Sequence, residues 1–143
     1  MARVRLILMV LLAAAVSLAA GLAVNWLTDL MPCQGEGLAC NIDVAIGGYG
    51  SMIWAGLGAV VFAMTLLIAR NRKALAGAAC VLLLPLIVLF LLTKIDTWRY
   101  VGFDPYPSFR SFLTMLAPPA CAVVVQYLIL RLAVPAASSV HRG

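Results

Sequence analysis

Arg70-Asn71-Arg72-Lys73 places three cations in four residues, with no acid nearby, between two long apolar runs. Lys and Arg beside membrane spans are retained on the cytoplasmic side, so a turn of this composition marks an inside face. Working outward from it in both directions, the chain divides into two helical hairpins joined at one basic turn.

The other charges sort consistently around this marker. Arg3, Arg5, Arg131 and Arg142 fall on the same side as Arg70, Arg72 and Lys73, giving seven cations and no acid. On the opposite side fall Lys94, Arg99 and Arg110 with five acids, Asp29, Glu36, Asp43, Asp96 and Asp104. The Lys and Arg asymmetry sets orientation, while acids contribute little. Both termini are therefore expected in the cytoplasm and both larger loops outside, in a bacterial inner (plasma) membrane.

Composition requires a bilayer. Hydrophobic residues make up 65% of the 143 positions and charged ones only 10%, with a mean hydropathy of +1.10. A soluble domain of this size has too little interior to hide so much apolar surface, so the excess must face lipid. The net charge of +5 is no nucleic-acid footprint, because the ten Lys and Arg sit at the ends of apolar runs and form no basic stripe.

The expected fold is all-α, a single membrane domain built as a four-helix bundle. Its spans cover about 4–27, 49–69, 74–93 and 111–134. An outer loop at 28–48, an inner turn at 70–73, an outer loop at 94–110 and an inner tail at 135–143 complete it. The first span of 24 residues reaches roughly 36 Å, enough to cross with some tilt. A secretory signal peptide is the rival reading of this segment, with Arg3 and Arg5 ahead of Ser17-Leu18-Ala19-Ala20. The apolar run continues to Trp26, however, past the usual signal core of about 7 to 15 residues.

Small residues predict where helices approach closely, since two apolar helices in lipid gain nothing from hydrophobicity by joining and must pack backbone to backbone. Ser51, Ala55, Ala59 and Ala63 recur at strict i, i+4 spacing in the second span, and Ala15, Ala19, Ala23 and the pair Ser17, Gly21 do so in the first. These faces are expected to pack on each other or against another subunit. Trp54 and Tyr49 are placed in an aromatic belt at the outer end of the second span. Pro85 is expected to kink the third span by freeing the Val81 carbonyl. Pro118 and Pro119 either kink a fourth helix that starts near Ser108 or begin a shorter helix themselves, and the kinked helix spans better.

The first outer loop holds Cys33 and Cys40 with six residues between them. Outside the cytoplasm such a pair forms a local disulfide, which restricts the unfolded loop by roughly 2 to 3 kcal/mol on the entropic account. A redox-active role is the alternative, although catalytic dithiols are usually spaced C-x-x-C. Quinone-coupled disulfide oxidases of bacterial membranes are superficially similar in having four spans with a cysteine pair in the first outer loop. They carry C-x-x-C there and a second pair in the second outer loop, both lacking here. Cys80 and Cys121 fall within spans and are expected to be buried, inert thiols. Two thiols without histidines make a poor zinc site, and the one histidine, His141, lies on the other side; no metal or other cofactor is expected.

The run from Thr93 to Phe112, TKIDTWRYVGFDPYPSFRSF, interleaves six aromatics with five charges, and Pro105 and Pro107 are expected to break regular structure. Trp98, Tyr100, Phe103, Tyr106 and Phe109 suit a surface with one wet side, and Arg99 and Arg110 can reach lipid phosphates. These seven residues are the candidate contact site for a membrane partner or lipid.

Ionisable residues are missing from the depth of all four spans, and proton-coupled transporters and pumps depend on such groups. The expected function is therefore that of a non-enzymatic accessory or scaffold subunit, contacting a membrane-protein partner, lipid or a second copy of itself. Thiol–disulfide exchange through Cys33 and Cys40, and a small pore or carrier for an uncharged or lipidic solute, are the alternatives.

Overall fold

The computed structural model describes residues 2–34 and 37–134. Within them lie four helices, α1 (Ala2–Asp29), α2 (Gly37–Ile68), α3 (Arg72–Val101) and α4 (Pro105–Ala133). Each is long and apolar enough to cross a membrane. The expected tail at 135–143, with His141 and Arg142, lies outside the described residues, as does Glu36.

The helices are longer than the expected spans, at 28 to 32 residues. That is roughly 42 to 48 Å, against about 30 Å of hydrocarbon and about 40 to 45 Å with the headgroup layers. Their length exceeds the apolar slab, and the surplus is polar sequence at their ends. Two segments expected as outer loops are accordingly helical, 37–48 at the start of α2 and 94–101 at the end of α3. The turn between α3 and α4 is only Gly102 to Asp104, with Gly102 at φ 86° and its N–H donating to the Trp98 carbonyl. Pro105 and Pro107 do not break structure here. They sit in the first turn of α4, where the N–H groups they lack would have had no partner, and Asp104 caps that turn by accepting from the Tyr106 N–H.

The connection between α2 and α3 is Ala69 to Asn71, so Arg72 and Lys73 of the turn expected at 70–73 already lie in α3. Arg70 takes the left-handed φ of 32°, and Asn71 caps α3 by accepting from the Ala74 N–H at 2.7 Å. Arg72 then reaches across to the end of α4, where its Nε and Nη2 donate to the Val134 carbonyl at 3.2 and 3.1 Å. A cation there also suits the negative end of the helix dipole.

Packing is centred on α4. It touches all three other helices, α2 also touches all three, and α1 and α3 do not meet. In cross-section this is a rhombus with α2 and α4 on its short diagonal. Half of α4's most apolar window is buried, against 22% to 28% in the others. Pro118 and Pro119 lie inside this one continuous helix, fully buried, and Pro85 likewise lies inside a continuous α3.

The interior changes character along the bundle axis. Toward the basic turn it is an apolar cluster of Val10, Ala13, Phe62, Leu66, Leu75, Ala78, Ala79, Leu82, Val123 and Leu130. Toward the other end it divides: Ser17 and Gly21 of α1, Gly47 and Ser51 of α2 and Thr114 and Pro118 of α4 form a small, polar interior, while Leu86 and Phe90 of α3 form a second apolar cluster with Leu116 of α4. The small-residue faces only partly match expectation. Ser51 and Ala55 are buried, whereas Ala59 and Ala63 are half-buried, because strict i, i+4 spacing drifts about 40° around the helix at each step. The seam that α2 really buries, Gly47, Ser51, Ala55, Gly58, Phe62 and Leu66, mixes steps of three and four and so stays on one face. On α1, Ser17 and Gly21 turn inward while Ala15, Ala19 and Ala23 are exposed, on the opposite face. Cys80 is exposed rather than buried, and Cys121 is half-buried.

Trp54 also departs from its expected place in an outer belt. Because α2 starts at Gly37, this residue lies well inside the bundle, half-buried, and its Nε1 donates to the Leu82 carbonyl of α3 at 2.7 Å. The acceptor lies next to the Val81 carbonyl, which Pro85 leaves without a helical donor.

Candidate functional site

The end of α3 and the start of α4, with the loop between α1 and α2, form a cap in which most of the expected contact residues meet. An open groove of about 280 Å³ is lined by Phe90 and Trp98 of α3, Phe103 of the turn, and Pro105, Ser108, Phe109 and Phe112 of α4. Its walls are braced by ring contacts: Phe90 and Phe112 meet edge to face at 5.4 Å between centroids, and Trp98 and Phe103 at 5.6 Å. The two polar side-chain groups in the lining satisfy each other, Trp98 Nε1 donating to Ser108 Oγ at 3.0 Å. What the groove presents to an occupant is therefore aromatic carbon.

Tyr106 and Arg110 belong to the same first turns of α4 but face the α1–α2 loop. Tyr106 donates through its hydroxyl to the Pro32 carbonyl at 2.9 Å, and Arg110 through Nε to the Met31 carbonyl at 3.4 Å. Arg110 is only 5% exposed, so it acts as an internal strut and is poorly placed for a lipid phosphate. Arg99 is exposed and Tyr100 is 82% exposed; neither lines the groove.

Behind the cap lies a polar tie that the sequence does not foretell. Ser111 of α4 donates to Asp43 Oδ2 of α2 at 2.6 Å, and Lys94 Nζ of α3 approaches Asp43 Oδ1 at 4.0 Å. The Lys94 and Asp43 side chains are 16% and 17% exposed, so the pair is largely shielded. At 4.0 Å the ion pair is long, and the short Ser111 hydrogen bond is the stronger member. Positions 43, 94 and 111 share no local pattern, and only the assembly of three helices brings them together.

The Cys33–Cys40 disulfide is present, joining the loop to the first turn of α2 with 6.2 Å between Cα atoms. Cys33 is exposed and Cys40 half-buried. Among the described residues, no group of three or more His, Cys, Asp or Glu side chains is placed to hold a metal.

Deeper in the bundle, Gln126 of α4 is completely buried against Gly58 of α2, with no hydrogen-bond partner for its amide oxygen or nitrogen. Asn25 Oδ1 of α1 is similarly buried and unpartnered beside Gly47. Ser17, Ser51 and Thr114 instead return their hydroxyls to their own helices, donating to the carbonyls of Ala14, Gly47 and Arg110.

Compared with known protein families, with characterised proteins and with solved structures, the chain matches none of them.

Proposed function

We propose that this protein works by contact rather than turnover, as a non-enzymatic accessory or scaffold subunit of a membrane, seating a membrane-protein partner or lipid in the groove of its outer cap. The observation that carries this reading is the groove itself. It is ring-lined and open, and its polar lining groups are already paired with each other, which suits an apolar occupant and offers no reactive group. In this reading the termini and the 70–73 turn face the cytoplasm of a bacterial inner membrane. Arg5, Arg70, Arg72, Lys73 and Arg131 support that side assignment.

The test is photo-crosslinking in native membranes from a reactive group placed at Phe103, compared with one at Leu128 on the exposed face of α4. A discrete adduct from position 103 alone supports the proposal. Absence of any adduct, together with a monodisperse monomer that carries no protein or lipid through gentle purification, overturns it.

Thiol–disulfide exchange remains the second reading, favoured by the exposure of Cys33. It requires that single-cysteine variants trap mixed disulfides in the cell, and a bond resistant to mild thiol removes it.

A further inference from the structure

The disulfide lies between two attachments to the same stretch of α4. On one side of it, the carbonyls of Met31 and Pro32, immediately before Cys33, accept hydrogen bonds from Arg110 and Tyr106. On the other side, Asp43 stands one turn of α2 beyond Cys40 and accepts from Ser111. The path from Arg110 to Met31, Cys33, Cys40, Asp43 and Ser111 is thus a closed circuit that returns to the neighbouring residue of α4. Apart from the chain itself, the Cys33–Cys40 bond is its one covalent member. The next residues on α4, Ser108, Phe109 and Phe112, form a wall of the aromatic groove.

We infer that the Cys33–Cys40 disulfide is a redox latch on the outer end of α4: oxidised, it holds the α1–α2 loop against Tyr106 and Arg110 and keeps the groove wall fixed; reduced, it lets both go. Without the bond, residues 31 and 32 are anchored on one side by the end of α1, where the Met31 N–H donates to the Thr28 carbonyl at 3.2 Å, and more chain freedom on the other side opposes their two hydrogen bonds. The reductant is a dithiol, protein or small molecule, on the outer side. One of its thiolates attacks Cys33 Sγ, the exposed sulfur. The Cys33–Cys40 bond breaks as a mixed disulfide forms, and Cys40 leaves as a thiolate in the first turn of α2, where a helix N-terminus favours negative charge. The second thiol of the reductant then displaces Cys33. The reductant finishes as its own disulfide, and two electrons and two protons finish on the cysteine pair. The latch goes beyond the contact reading and does not depend on what fills the groove.

Hydrogen–deuterium exchange on the full chain in phosphatidylcholine nanodiscs tests it, with dithiothreitol as the reductant and thiol alkylation to verify complete reduction. Reduction is expected to speed exchange at the amides of 109–112 by about tenfold or more, leaving those of 120–130 unchanged. A Cys33→Ser, Cys40→Ser double variant should show the fast pattern without reductant and give no response to it. In Tyr106→Phe, which lacks one of the two loop bonds, the difference between oxidised and reduced forms should shrink. Unchanged exchange at 109–112 in both the reduced protein and the double variant overturns the proposal, as does an acceleration spread evenly over all four helices. Because no partner is present, failure here is distinguishable from failure of the contact reading.

Discussion

The Thr114 carbonyl, deprived of its helical donor by Pro118, lies so close to Gly47 that a Cβ there would overlap it. Gly47 and Gly48 look in sequence like the end of a loop, yet they are mid-helix because α2 needs bare backbone where α4 passes. Gly47→Ala has to push one backbone away from another and is expected to lower stability by about 1 to 3 kcal/mol. Gly56 and Gly77 have open space around them, so Gly56→Ala should be neutral or stabilising by up to about 1 kcal/mol. Unfolding midpoints in mixed-detergent titrations rank the two variants, and equal effects would refute the close approach. Gln126 is a different case, because both polar ends of its amide are buried without partners. Gln126→Leu keeps the volume and removes the unsatisfied groups, so its midpoint should be unchanged or higher, by about 1 kcal/mol at most. A clear loss of stability would mean that the amide has a partner in the membrane.

Among the elements, α3 is held least closely: it has no contact with α1, and its attachment to α2 includes the single Trp54 hydrogen bond to Leu82. Trp54→Phe keeps an aromatic ring, smaller than the indole, and deletes the donor. Stability should fall by about 0.5 to 1.5 kcal/mol, and exchange should quicken at the α3 amides around Pro85 while α4 stays protected. Uniform loosening of the bundle would contradict a local tie. The four long apolar helices were legible in the sequence because each is a long apolar run. The start of α4 was not: it was expected near Ser108, and the helix begins at Pro105 with Asp104 as its cap. The helical state of 37–48 and 94–101 was not, because polar residues in a headgroup layer read like loop residues. Pro105 and Pro107 misled for a related reason. A proline signals a helix start as well as a break, and only the position of Asp104 ahead of them decides which.

In the whole molecule, the basic turn and the end of α4 lie together, joined by Arg72 and Val134, and at the opposite end the α1–α2 loop meets the start of α4 through Pro32 and Tyr106. If this arrangement sits in the membrane as the charges direct, a membrane-impermeant thiol reagent should modify Lys73→Cys only from the cytoplasmic side and Asp96→Cys only from outside. The reverse pattern would invert the roles of cap and basic turn. Four helices long and apolar enough to cross a membrane, a cationic stretch between the second and third, and a cysteine pair close enough to bond can all be read from the chain, since hydropathy, charge and spacing are local properties. Which face of each helix turns inward, that α4 is central, and that positions 43, 94 and 111 meet all depend on how the four helices assemble. In water a buried face is marked by its apolarity. In a bilayer the lipid is as apolar as the core, so Ala15 facing out and Ala13 facing in carry the same signal, and the choice falls to shape, to glycine gaps and to the few polar groups that must find each other.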